Sequence, residues 1–322
     1  MRTMPVKTYT IEAPCKINLH LNIGEKRPDG FHDLESIFVT LAFGDTISFE
    51  VTPQKNEIKL SLECESLEKT ILTEKNLVFK AVSLFRECTG YENGLNIRLF
   101  KRIPIGAGLG GGSSDAASTL LALNSIAGTA LPMKKLVKMA KVLGSDVTFF
   151  LSGGAAFVCG RGELITRVKP PGNGKLWVVL VKPPFSSDTA SAYRLLDYAK
   201  ENLFKESAPQ EGVSQKKIPK KALIEALKKD PQTWPYYNDF LPVFLAAKKE
   251  ANFDKAGTYL KILENLRSTG SCFSGLSGSG SCCFGIYRTR ESAENAEKKL
   301  FENGNFVKMT FFLANTADMV LQ

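Results

Sequence analysis

Between residues 16 and 24 apolar and polar side chains alternate strictly. Ile17, Leu19, Leu21 and Ile23 point one way, and Lys16, Asn18, His20 and Asn22 the other. That is the period of a β-strand with one apolar face, whose polar face is either wet or part of a site. Pro28-Asp29-Gly30 marks a turn, and residues 35–40, 45–52 and 95–100 read as further strands. Helical spacing appears at Leu77, Ala81, Leu84 and Phe85 within residues 76–87, and at Ala116, Leu120, Leu123 and Ala127 within residues 113–127. Pro132 opens another helix, carried by Leu136, Met139, Ala140 and Leu143, and Gly144 closes it. A short segment then runs from Asp146 to Gly153-Gly154.

Residues 169–175 are rich in Pro and Gly without periodicity, which marks a linker. A strand is expected over 176–181, a mobile lysine-rich loop over 204–220, and helices over 221–229 and 241–250. A strand over 281–287, a helix over 291–303 and a strand over 307–313 complete the pattern. Strands and helices mix without regular βαβ units, so the fold class is α+β, in two domains of residues 1–170 and 171–322. No internal repeat is visible.

Composition narrows the class. The chain has 322 residues, 43% apolar and 23% charged, enough to bury a core without disulfides or metals. No apolar run approaches the roughly 20 residues that span a bilayer. The formal charge is +9, from 42 Lys and Arg against 33 Asp and Glu. That excess favours anionic partners such as phosphates, nucleotides, nucleic acid or anionic lipid, without choosing among them. Much of it sits in lysine pairs between 216 and 249 that read as solvated helix faces, and no aromatic residues interleave with those at 216–229 to stack on bases. The seven cysteines have no C-x-x-C spacing and there are only two histidines, so no metal site is expected. Together with an N-terminus that lacks a signal or transit pattern, this points to a reducing cytoplasm.

The strongest chemical signal is residues 104–118. Gly106, Gly108, Gly110, Gly111 and Gly112 precede a helix directly. Glycines let a backbone approach a ligand closely, and a helix start offers unpaired N–H groups, so the combination suits a polyphosphate. Ser113 and Ser114 read as caps whose hydroxyls could also reach phosphate or Mg²⁺. The loop is not a Walker A motif, because no Lys-Ser/Thr follows it, and it is not the usual N-terminal dinucleotide fingerprint. A second, weaker glycine segment at 274–281 could close over phosphates or acceptor. Lys16 could hold an acceptor hydroxyl, although the strand alone makes it an exposed lysine. Asp146 is either a helix N-cap or a base for phosphoryl transfer.

Pro14-Cys-Lys-Ile-Asn-Leu-His-Leu21, Arg27-Pro-Asp-Gly-Phe-His32, the 104–118 loop, Leu143-Gly-Ser-Asp-Val147 and Leu276-Ser-Gly-Ser-Gly280 together resemble the GHMP kinase superfamily, in its motif order and over nearly the whole chain. The resemblance implies a two-domain α+β fold: an N-terminal domain like the second domain of ribosomal S5, then a ferredoxin-like domain. The Asp-Gly-Phe-His loop, the Gly-Leu-Gly-Gly-Gly-Ser-Ser form of the phosphate loop and Asn238-Asp239-Phe240 resemble the branch that phosphorylates a cytidine-diphosphate-linked methylerythritol in the non-mevalonate route to isoprenoids. Its implied chemistry is transfer of the γ-phosphate of ATP, with Mg²⁺, to a tertiary 2-hydroxyl.

By that resemblance Lys16 and Asp146 match the catalytic pair, the aspartate taking the hydroxyl proton and the lysine polarising the hydroxyl. Pro104, Ile105, Gly106, Ala107, Gly108, Leu109, Gly110, Gly111, Gly112, Ser113 and Ser114 match the ATP phosphate loop, and Asn76 and Lys101 match positions near the adenine. Asn18, Thr189, Gly278 and Ser279 match acceptor contacts. Phe31 and Tyr193 match two rings that sandwich the cytosine, and His32 matches a residue at its polar edge. Phe31 stands where tyrosine is usual, Cys15 where alanine is common, and Thr148 where proline is common. The expected partners are ATP and the cytidyl acceptor, without nucleic acid or membrane, on a monomer or weak homodimer. A GHMP kinase acting on homoserine, mevalonate or a sugar is the alternative within the superfamily, and a basic nucleic-acid-binding protein the alternative outside it.

Overall fold

The computed structural model describes residues 7–64, 73–174, 176–203, 217–247, 255–301 and 305–314. Strands β1 (Thr8–Lys26) and β2 (His32–Thr52) form a long antiparallel ribbon. The strands expected over 35–40 and 45–52 are one strand. Leu41 and Phe43 between them are buried, and Gly44 faces Pro14 where the β1 register shifts, so the ladder bends there instead of stopping. Strands β3 (Ile58–Cys64), β4 (Gly94–Lys101), β5 (Ala155–Gly160) and β6 (Leu164–Val168) complete a sheet of order β3-β4-β2-β5-β6, with β1 on β2. Helices α1 (Leu77–Thr89), α2 (Gly111–Ile126), α3 (Met133–Leu143) and α4 (Ser145–Phe150) pack on it through Phe49, Phe85, Leu120, Leu123 and Phe149.

The second sheet contains β7 (Trp177–Lys182), β8 (Phe273–Leu276), β9 (Cys283–Tyr287) and β10 (Phe306–Phe311), in the antiparallel order β10-β7-β9-β8. Helices α5 (Thr189–Tyr198), α6 (Lys220–Ala226), α7 (Phe240–Ala246) and α8 (Lys255–Ser268) lie between β7 and β8, and α9 (Arg290–Phe301) lies between β9 and β10. This is the strand order of a ferredoxin-like unit, as the resemblance implied. Along β7 the side chains divide by parity. Val178 and Leu180 enter a core shared with Ile17 and Leu19, whereas Val179 and Val181 pack with residues of α5, α7 and α8. Sheet therefore packs on sheet, with helices outside each.

That packing decides the state of β1. Its apolar face enters the shared core, and its polar face is buried too: Lys16, Asn18 and His20 are at most 4% exposed. A buried polar face needs hydrogen-bond partners, and Lys16, Asn18 and Ser36 supply them to one another. The proposed loop over 204–220 falls outside the described residues as far as 216, and Lys220 already opens α6. The ends of the helices expected over 241–250 and 291–303 also lie outside them. Among the described residues no helix is long and apolar enough to cross a membrane.

Candidate active site

From the end of β4 the chain turns through residues 102–110 into α2. Asp45 fixes the turn: its Oδ1 accepts the N–H groups of Arg102 at 2.6 Å and Ile103 at 2.7 Å. Gly110, at φ 73°, caps α2, which begins at Gly111 and not at residue 113. Ser113 and Ser114 are therefore inside the first turn and are not caps. Two glycines, poor helix formers, hide the true start from a propensity reading. Ser114 N–H already donates to Gly110 O at 2.9 Å, which leaves the N–H groups of residues 111–113 without intrahelical acceptors.

The rest of the loop is bolted down by backbone bonds. Leu109 O accepts Lys16 N–H at 2.9 Å, Ala107 O accepts Cys282 N–H at 3.1 Å, and Gly106 O accepts Ser187 N–H at 2.9 Å. Gly108 O accepts the Ser277 hydroxyl at 2.9 Å. A Cβ on Gly108 would overlap Ser277 O and lie 2.9 Å from Gly280 O. One on Gly110 would lie 2.9 Å from the Phe150 ring and 3.2 Å from Lys16 Cγ. The two glycine segments are thus one structure, built around Lys16. Asn238 holds the second segment by donating to Leu276 O and Gly278 O, both at 2.8 Å. Asp239 ties the same element to β1 by accepting Ile23 N–H at 2.6 Å.

Lys16 Nζ donates to Asn18 Oδ1 at 2.6 Å and lies 3.8 Å from Asp146 Oδ2. Asn18 in turn donates to Ser36 Oγ at 3.0 Å. Burial pushes the Lys16 ammonium down, and the Asp146 charge opposes that shift. Asp146 stands in the first turn of α4, where Gly144 is the cap residue. The N-cap reading of Asp146 therefore fails, and its side chain is 32% exposed. Burial, reinforced by the Asp146 charge, raises the Tyr193 hydroxyl to about 12.

Lys101 is buried and held between Asp45 and Asp115, with Asp115 Oδ2 at 2.7 Å. Burial alone would lower its pKa, but the two carboxyls outweigh burial and raise it. Two carboxyls share one ammonium, and burial lifts Asp115 to about 8 against the pull of Lys101. Asn76 caps α1, its Oδ1 accepting Val78 N–H at 2.9 Å. His20, behind the site, is pushed down by burial to about 4 and is neutral.

One cleft of about 460 Å³ gathers Lys16, Asn18, Asn76, Lys101, residues 104–112, Asp146, Thr189, Tyr193, Gly278 and Ser279. Asp115 and Arg161, which the sequence reading did not select, line it as well. Ser114 is fully buried with its hydroxyl unpartnered, and neither it nor Ser113 lines the cleft. Thr189 Oγ1 lies 3.1 Å from Ser279 Oγ. His32 is buried and stacks on Tyr193 with ring centroids 5.3 Å apart, and its Nε2 lies 2.9 Å from Asp197 Oδ1. Phe31 stands 56% exposed at the rim, with the Arg161 guanidinium 5.0 Å over its ring. Tyr193 lines the cleft, whereas Phe31 and His32 stand beside it and are not among its lining residues.

Apolar Leu62, Leu77, Leu99 and Ile103 beside Asn76 and Lys101 suit a planar base, and the glycine cradle with its open N–H groups suits a polyphosphate. Among the described residues no three His, Cys, Asp or Glu side chains converge on a metal position.

Models of the GHMP kinases N terminal domain and the GHMP kinases C terminal domain match residues 76–154 and 258–305. A 4-diphosphocytidyl-2-C-methyl-D-erythritol kinase of Pasteurella multocida (strain Pm70) is 35% identical over 297 residues, 92% of this chain and 88% of the relative. The chloroplastic kinase of that name from Oryza sativa subsp. japonica is 45% identical over 184 residues, 57% of this chain and 45% of the relative. Against that and the other plant relatives, the chain spans about half of their length. A solved 4-(cytidine 5'-diphospho)-2C-methyl-D-erythritol kinase superposes with a TM-score of 0.71 at 28% identity, covering 94% of this chain and 98% of the other.

Proposed function

The chain belongs to the GHMP kinases and, within them, to the 4-diphosphocytidyl-2-C-methyl-D-erythritol kinase family, and on that premise we propose that it transfers the γ-phosphate of ATP to the 2-hydroxyl of 4-diphosphocytidyl-2-C-methyl-D-erythritol. The observation that carries this reading is the junction of the phosphate cradle with the Lys16–Asp146 pair in one cleft, where Leu109 O is bonded to the backbone of Lys16 itself. A phosphoryl group presented by the cradle would lie next to that pair.

Phosphoryl transfer asks the protein mainly to position the reactants and to stabilise spread charge. In this reading the N–H groups at the start of α2 hold phosphate oxygens, and Asn76 with the apolar slot holds the adenine. Magnesium would arrive with the nucleotide and would supply charge neutralisation at its phosphates. Lys16, kept in place by Asn18, polarises the acceptor hydroxyl. Asp146, on the open side of the pair, accepts its proton. The cytidyl end binds at the rim formed by Phe31, His32 and Tyr193, where binding energy far from the reacting hydroxyl orients it. Residues 1–170 and 171–322 act as the two lobes, and the setting is the cytoplasm.

ADP release with Mg-ATP, measured against the cytidyl acceptor, methylerythritol phosphate, homoserine, mevalonate and galactose, tests the reading. Turnover with the cytidyl compound alone is expected, and turnover only with another acceptor would overturn it. Asp146→Asn should lower kcat by about 100-fold or more while ATP binding persists. A variant with near-native kcat would refute the proton-acceptor role.

A further inference from the structure

We propose that Arg161 recognises the diphosphate of the acceptor, an inference that rests on the cytidyl-acceptor reading above. A molecule with cytidine at one end and the reacting hydroxyl at the other carries its diphosphate in between. The site must therefore present positive charge between the 29–32 loop and the Lys16–Asp146 pair.

Four cationic side chains line the cleft among the described residues: Lys16, Lys75, Lys101 and Arg161. Lys16 is engaged with Asn18 and Asp146. Lys101 is held by two carboxyls. Lys75 immediately precedes the α1 cap Asn76, at the nucleotide end. Of the four, Arg161 alone stands beside Phe31 of the 29–32 loop.

Its position follows from the turn that carries it, between β5 and β6. A Cβ built on the adjacent Gly162 would lie 3.2 Å from Ser145 Cβ and 4.0 Å from Asp146 Oδ1, so the turn abuts the start of α4. From there the Arg161 side chain extends until its guanidinium lies over the Phe31 ring at 5.0 Å. It thus spans the interval that the diphosphate must cross. Glu163 holds the turn by accepting Arg161 N–H at 2.7 Å. The guanidinium approaches Asp29 Oδ2 at 3.9 Å, and that carboxylate is already 3.3 Å from Arg27 Nε. With its side chain 44% exposed, the planar fork keeps donors for phosphate oxygens, the geometry in which arginine binds them bidentately.

The test is competitive inhibition against the cytidyl acceptor at saturating Mg-ATP, with cytidine and with CDP, for wild type, Arg161→Gln and Arg161→Lys. Wild type should bind CDP more tightly than cytidine, and Arg161→Gln should shrink that ratio by about 10-fold or more. Arg161→Lys should restore part of it, because an ammonium pairs with phosphate only as a point charge. An unchanged ratio in Arg161→Gln overturns the proposal. An equal loss of affinity for both inhibitors also overturns it, and would place Arg161 on the base through Phe31. A wild-type protein that neither turns over the cytidyl acceptor nor binds CDP would remove the acceptor reading and this inference with it. Normal wild-type turnover with an unchanged ratio removes this inference alone.

Discussion

Replacing Asp115 with Asn should move stability in the variant's favour, relative to wild type, as pH rises. Asp45, Lys101 and Asp115 set two carboxyls against one ammonium, all of them buried. Asp115 Oδ2 is on Lys101, and its Oδ1 has no partner. A second negative charge there goes uncompensated, so burial lifts this carboxyl from 3.8 to about 8. Between those values the folded protein carries a proton that the unfolded chain has released. The stabilisation is complete below pH 3.8 and is lost as pH rises to about 8. Each pH unit in that window costs up to about 1.4 kcal/mol, so moving from about pH 5.5 to about pH 8 costs up to roughly 3 kcal/mol. Asn cannot ionise, yet its side-chain oxygen can still accept from Lys101. Urea unfolding of both proteins at about pH 5.5 and about pH 8.5 should show the variant gaining up to roughly 3 kcal/mol relative to wild type, since other titrating groups cancel in the difference. If the difference between the two proteins is the same at both pH values, Asp115 is ionised throughout and the argument is wrong.

Gly108→Ala should be severe, because the residue sits at φ 75° and its Cβ would overlap the backbone oxygen of Ser277. The left-handed conformation alone costs about 1–2 kcal/mol, and the clash must also separate the two glycine segments. The expected outcome is a lower melting temperature and a kcat/KM reduced by about 100-fold, and native values for both would show that the segments do not need to touch. Replacing Phe31 and Tyr193 together with Ala should raise KM for the cytidyl acceptor by about 10-fold or more, since stacking is worth roughly 1–3 kcal/mol per base. KM for ATP should stay near native, and an equal rise for both substrates would refute a base-binding rim.

What the sequence reveals of this molecule depends on how local the cause is. The 104–118 loop was legible because glycine backbone freedom and an immediate apolar helical stripe are both properties of contiguous residues. The four-residue spacing of Ala116 and Leu120 was legible for the same reason. α8 carries an equally readable stripe in Tyr259, Ile262, Leu263 and Leu266, closed by Gly270 at φ 91°, and is absent from the elements expected above. Lys16 was different. Alternation along β1 gave its face but not its burial, because the cover comes from Leu109 in one glycine segment and from the turn at 277–280 between β8 and β9. Asp115 looked like an ordinary polar residue near a helix start, and only the fold sets it against Lys101 and Asp45. The bonds that hold the site together explain why. Lys16 and Asn18 are positioned by backbone bonds to loops whose glycine side chains are absent: Leu109 O on Lys16 N–H at 2.9 Å and Ser277 Oγ near Asn18 N–H at 3.4 Å. Gly108 and Gly110 therefore matter less for binding a phosphate directly than for letting two segments close on one strand. A polyphosphate cradle that failed to close would leave Lys16 exposed, with Asp146 as a distant surface carboxylate, and the family motifs would all be present without a site.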